Sequence, residues 1–127
     1  YDALDPALRV RVEHRRAVHR HPEAAQNPPT PASHPVIRPH PVTGRRVVYV
    51  NPQFTRYIEG MPADESRAVL DQLLAHVTHP RFVWRHRWRA GDLVIWDNRC
   101  TMHRREPFDD RQRRIMKRTQ IMGETLC

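Results

Sequence analysis

Four prolines, Pro22, Pro28, Pro29 and Pro31, crowd one short stretch of this chain and constrain its fold more than any other feature. Proline lacks a backbone N–H and clashes with a continuing helix, so Pro22 to Ala32 can be neither helix nor central strand. Residues 22–33 are read as an irregular connection, the one candidate linker or lid. Before it, Leu4, Leu8, Val12 and Val18 lie roughly on one stripe with Arg and Glu elsewhere. That spacing predicts a helix over residues 3–19, ending near His21-Pro22 in a helical region of 1–21.

Beyond the prolines the texture turns to strand. Pro35–Arg38 and Arg46–Val50 are β-rich and flank His40-Pro41-Val42-Thr43-Gly44, a turn by its Pro and Gly, which predicts a hairpin. Asp64 is a good N-cap for a helix to Val77 whose Val69, Leu70, Leu73, Leu74 and Val77 recur at one, three and four residues. Three further strands are expected over 81–88, 92–96 and 113–122, with Arg89-Ala90-Gly91-Asp92 as a turn. In the first of them Phe82, Trp84, His86 and Trp88 share one face and Arg85 and Arg87 the other. Trp84, Trp88 and Trp96 are expected in the core, and His86 packed between its two tryptophans. The fold class is mostly β with flanking helices, a sandwich or jelly roll.

Composition narrows the function classes. With 39% hydrophobic and 28% charged residues the chain is an ordinary globular one, not bulk disorder. No apolar run approaches a membrane span, and Tyr1-Asp2-Ala3-Leu4-Asp5 has no signal-peptide character, so a cytoplasmic setting is the default expectation. The absence of an initiator methionine reads as a start within a longer gene product. Cys100 and Cys127 form no disulfide or zinc pattern. A net charge of +8 attracts anions from carboxylates to DNA without choosing among them.

The chemistry concentrates in Trp96-Asp97-Asn98-Arg99-Cys100-Thr101-Met102-His103-Arg104 and in Arg113–Arg118. On a strand over 113–122, Arg114 and Arg118 would share a face, about 13 Å apart at roughly 3.3 Å per residue. These residues, with His34–Arg45 and Phe82–Trp88, resemble the TauD/TfdA family of Fe(II)/2-oxoglutarate-dependent dioxygenases, specifically from His34 to about Met122. Tyr1-Asp2-Ala3-Leu4 is similar more weakly. Arg85–Trp88, Glu59–Pro62 and Asp97–Cys100 with His103-Arg104 resemble the aryloxyacetate branch more than the taurine branch.

The resemblance implies a single domain portion, residues 1–127, forming the C-terminal part of a double-stranded β-helix, or jelly roll. It implies His103 as the second histidine ligand of Fe(II), Arg114 as the partner of the distal carboxylate of 2-oxoglutarate, and Arg118 as the grip on an anionic substrate. No residue is assigned as catalytic in its own right. The family's first histidine, its aspartate and a 2-oxoglutarate threonine belong upstream of Tyr1, so the isolated chain is expected to be inactive. His21-Pro22-Glu23 does not replace that pair, and His14, His19, His34 and His40 are read as surface or turn residues.

The implied reaction hydroxylates a small anionic organic substrate, aryloxyalkanoate-like or sulfonate-like, with O2, succinate and CO2 as the other participants. No nucleic-acid or membrane partner is expected, and a homo-oligomer of the full-length enzyme is left open. Two alternatives stand beside it: a basic nucleic-acid-binding module and a folded, non-catalytic remnant.

Overall fold

The computed structural model describes residues 1–121. Helix α1 spans Pro6–Val12, and strand β1, Arg16–His19, follows it almost at once. The helix predicted over 1–21 is therefore shorter, and its last part is strand. Asp5 caps α1 by accepting the N–H groups of Ala7 and Leu8, and Pro6 occupies a first-turn position where its missing N–H costs nothing. Leu4, Leu8 and Val12 are buried as the stripe requires. Val18 is buried too, but as a strand residue, because β1 finds backbone partners on both sides.

Those partners are β2, Ala32–Pro35, and β5, Thr55–Ile58, both antiparallel to β1 in a sheet of order β2-β1-β5. The proline-rich connection stays irregular apart from one 3-10 turn, Ala24–Gln26, and its end enters β2. The predicted hairpin forms from β3, Ile37–Pro39, and β4, Arg46–Val48, in register Ile37↔Val48 and Pro39↔Arg46. At Val36 the chain leaves one sheet for the other, the Val36 N–H bonding Arg15 and its carbonyl accepting from Tyr49.

Helix α2, Ala63–Val77, starts one residue before Asp64, which sits in the first turn with Glu65. The flanking Pro62 offers no side-chain cap, so these two carboxylates complement the helix dipole instead. Val69, Leu70 and Leu73 bury against β5 and the rest of a core that includes Val12, Val36 and Ile58. Ser66 reaches across this contact, its buried hydroxyl accepting the Ile58 N–H at 2.7 Å.

From residue 83 to residue 121 there is no strand, and the three strands predicted at 81–88, 92–96 and 113–122 do not form among the described residues. Phe82 closes a 3-10 turn, Pro80–Phe82; Met122 lies outside the described residues. A strand needs a neighbour's N–H and C=O groups, and none is offered to this segment. Consequently Trp84, Trp88 and Trp96, expected in the core, are exposed, Trp84 at 72%. His86 does lie between Trp84 and Trp88, with centroids at 5.3 and 4.7 Å. The turn at Arg89–Asp92 forms as well, the Asp92 carboxylate accepting from the Arg89 N–H and from His86. The described architecture is thus two small antiparallel sheets and two α-helices, followed by an extended arm.

Candidate functional site

A polar turn at Asp97–Thr101 joins the arm to the β3–β4 loop. The Asp97 main-chain carbonyl accepts from the Thr101 N–H at 3.1 Å and the Thr101 hydroxyl at 2.6 Å, which closes the turn. Its carboxylate takes the Arg99 backbone N–H at 2.8 Å and the Arg99 guanidinium through Nε and Nη2, the latter at 2.6 Å. His40 Nε2 adds a contact of 3.0 Å to the same carboxylate, across 57 positions of sequence. Arg99 above all, then His40, holds the Asp97 carboxyl far below the usual carboxylate range. Asp97 is therefore ionised at any ordinary pH.

His40 is buried, and its tautomer follows from its surroundings. Nδ1 faces the N–H groups of Val42 and Thr43, each at 3.3 Å, and must accept. The proton then sits on Nε2 and is donated to Asp97. The loop carrying His40 is closed by Gly44, whose N–H bonds the His40 carbonyl at 2.8 Å and whose φ of +68° suits glycine.

Ligand atoms of His40, Asp97 and Cys100 lie within 4.8 Å of one another, a donor set of metal-binding type. The hydrogen bonds argue against that use. A metal at His40 Nε2 would drive the proton to Nδ1, against two amide donors, while Arg99 already occupies the Asp97 oxygens. Burial first, and then the Asp97 charge, push the Cys100 thiol upward, which disfavours the thiolate that a metal or a nucleophilic role requires.

The expected site residues all lie on the arm. His103 is exposed, its ring tilted against Trp96 with centroids 4.9 Å apart. Arg114 is exposed with its guanidinium 5.1 Å from the Phe108 ring centroid, and Arg118 is exposed. Among the described residues no hydrogen bond or ring contact joins His103 to either arginine, and the strand meant to align Arg114 with Arg118 is not formed. His103 belongs to no group of three potential metal donors among the described residues.

Sequence reasoning missed the His40–Asp97 pair. Each stands in a quoted motif, but nothing local announces a partner so distant in sequence. Arg11, Arg45, Arg46, Arg85, Arg99 and Arg111 each pair with a carboxylate.

A family model described as taurine catabolism dioxygenase TauD, TfdA family matches residues 1–120. The chain belongs to the TauD/TfdA family. Among TauD/TfdA relatives it is 36% identical over 138 aligned positions to the alpha-ketoglutarate-dependent 2,4-dichlorophenoxyacetate dioxygenase of Cupriavidus pinatubonensis, covering 99% of this chain and 48% of that protein. It is 43% identical over 101 positions to the enzyme of the same name from a Burkholderia species, covering 80% of this chain and 34% of that one. The crystal structure of AAD-2 in complex with Mn(II) and N-oxalylglycine superposes with a TM-score of 0.76 at 32% identity, over 88% of this chain and 49% of that one. The chain thus spans half or less of the length of these TauD/TfdA relatives, which are alpha-ketoglutarate-dependent dioxygenases by name. Among the described residues no helix is long and apolar enough to cross a membrane.

Proposed function

We propose that this chain is the C-terminal portion of a non-haem Fe(II), 2-oxoglutarate-dependent dioxygenase acting on a small anionic organic substrate of aryloxyalkanoate or sulfonate type. The overall reaction inserts one oxygen atom of O2 into a substrate C–H bond. The other enters succinate as 2-oxoglutarate loses CO2. Membership in the TauD/TfdA family over residues 1–120 carries the reading.

In this reading residues 1–127 are part of one jelly-roll domain. The arm segments around 81–88, 92–96 and 113–122 become strands once they meet the strands of the remaining portion. The support is the alternating pattern of 81–88 together with the exposed apolar side chains of the arm, Leu93 and Ile95 among them. His103 supplies one imidazole to Fe(II), while a His-x-Asp pair supplied by the remaining portion completes the ligand set. Arg114 takes the distal carboxylate of 2-oxoglutarate in its planar fork, and Arg118 the anionic group of the substrate.

The test is to join the chain to the family's upstream half and measure succinate released with Fe(II), 2-oxoglutarate and a panel of aryloxy and sulfonic acids. Turnover with at least one acid is expected. Arg114→Ala should abolish it through lost 2-oxoglutarate binding, and Arg118→Ala should raise KM for the acid while sparing the uncoupled consumption of 2-oxoglutarate. A joined protein that consumes no 2-oxoglutarate with any acid overturns the proposal.

A further inference from the structure

The His40–Asp97 contact links the sheet core to the arm beside the residue read above as an iron ligand. Asp97 opens a turn that ends at Thr101. Trp96 stands one residue before that turn and His103 two residues after it, so closing the turn brings the two rings together at 4.9 Å. The Asp97 carboxylate braces the same turn by accepting the Arg99 N–H. Arg99 lies two residues away on the same turn and shapes it locally. His40 belongs to the loop between β3 and β4, whose backbone is fixed by the Pro39↔Arg46 pair and by the bonds from His40 to Arg45 and Gly44. Its side chain is 9% exposed, with one nitrogen accepting from the loop's own amides and the other donating to Asp97.

We propose that His40 is a positioning residue for His103: by donating Nε2–H to Asp97 it anchors the Asp97–Thr101 turn to the sheet and thereby fixes the direction in which the His103 imidazole is presented. The inference rests on the reading of His103 as the metal ligand, but it concerns the chain's own residues and is measurable without metal. A hydrogen bond from a buried donor to an ionised acceptor is worth more than a neutral one, and its partner here cannot drift, because the loop is tied down on both sides. A rigidly placed ligand in turn needs a partner that fixes the backbone behind it.

Two substitutions separate the two nitrogens of His40. In His40→Asn the side-chain oxygen stands where Nδ1 stood and still accepts from Val42 and Thr43, so the loop keeps its cap but loses Asp97. In His40→Gln the longer side chain carries an N–H to the position of Nε2 and restores the donor. NMR on the metal-free 127-residue chain reads the outcome. His40→Asn should leave the β3–β4 amide shifts in place, remove the cross-relaxation between the Trp96 and His103 rings, and speed exchange of the Thr101 amide about tenfold, the size expected for one charge-assisted hydrogen bond. His40→Gln should return both to within about twofold of the parent, on the same grounds. Should His40→Asn keep the Trp96–His103 signal and the slow Thr101 amide, or should His40→Gln fail to restore them while the hairpin is intact, the inference is overturned. The reading of His103 itself fails differently: His103→Ala in the joined enzyme would then retain full turnover, whatever the turn does.

Discussion

Residues 1–82 and residues 83–121 both carry short β-rich runs and come to opposite ends. In β1 the adjacent Ala17 and Val18, on opposite faces, meet strands on both edges and are both buried, Val18 to 3% exposure. In the arm the apolar run Leu93–Trp96 finds no such neighbour, and Leu93 and Ile95 remain 83% and 84% exposed. Period-two patterning states which face a strand would bury. It does not supply the neighbour whose amides and apolar face make burial happen. One hydrogen bond, His40 to Asp97, crosses between the two regions at the place where the arm carries its chemistry.

The widest gap between the regions should appear in backbone exchange. Val18, in the central strand, is expected to exchange its amide more slowly than Val94 or Ile95 by on the order of a thousandfold or more, because opening it requires sub-global unfolding. Equal rates would erase the comparison. Side-chain truncation should follow the same line. Leu73→Ala, at a fully buried position facing β5, should lower the unfolding free energy by about 2–5 kcal/mol in a urea titration. Ile95→Ala should stay within about 0.5 kcal/mol of the parent chain, as exposed positions do. If the joined enzyme is measured instead, Ile95→Ala should become costly, since the proposed jelly roll buries that side chain.

Ser66→Ala sharpens the account of how α2 is fastened. It removes the acceptor of the buried Ile58 N–H and should cost about 1–3 kcal/mol, with no change in the arm's exchange rates. A pH dependence is also expected from the three-stranded sheet. Burial, aided by the neighbouring His34, holds the His19 ring down to about 4. With a folded value below the unfolded one near 6.5, stability is full above about 6.5, declines as pH falls toward 4, and levels off below it. His19→Gln should flatten that decline, whereas a slope that survives the substitution would assign it to another group.

Parts of both fold and site were legible along the chain. The irregular proline segment, the hairpin around Gly44 and the amphipathic stripe of α2 are local matters, decided by missing donors, by a loop needing φ above zero and by a 3.6-residue repeat. The boundary of α1 was not, because Val18 satisfies a helical stripe and a strand alternation alike. Only the proximity of β2 and β5 selected the strand. His103, Arg114 and Arg118 could be singled out by their spacing within a family motif, but the described residues do not bring them together. His40 and Asp97 were visible as residues and invisible as a pair.

The sequence by itself determined where the chain cannot be helical, which face α2 buries, and which family it belongs to, since each depends on residues near one another or on a string of residue types. The tertiary structure alone decided which candidate strands pair, which tryptophans meet water, and that a histidine in the β3–β4 loop holds the aspartate turn before His103. Backbone pairing and buried hydrogen bonds need a second partner, and its distance along the chain leaves no local trace.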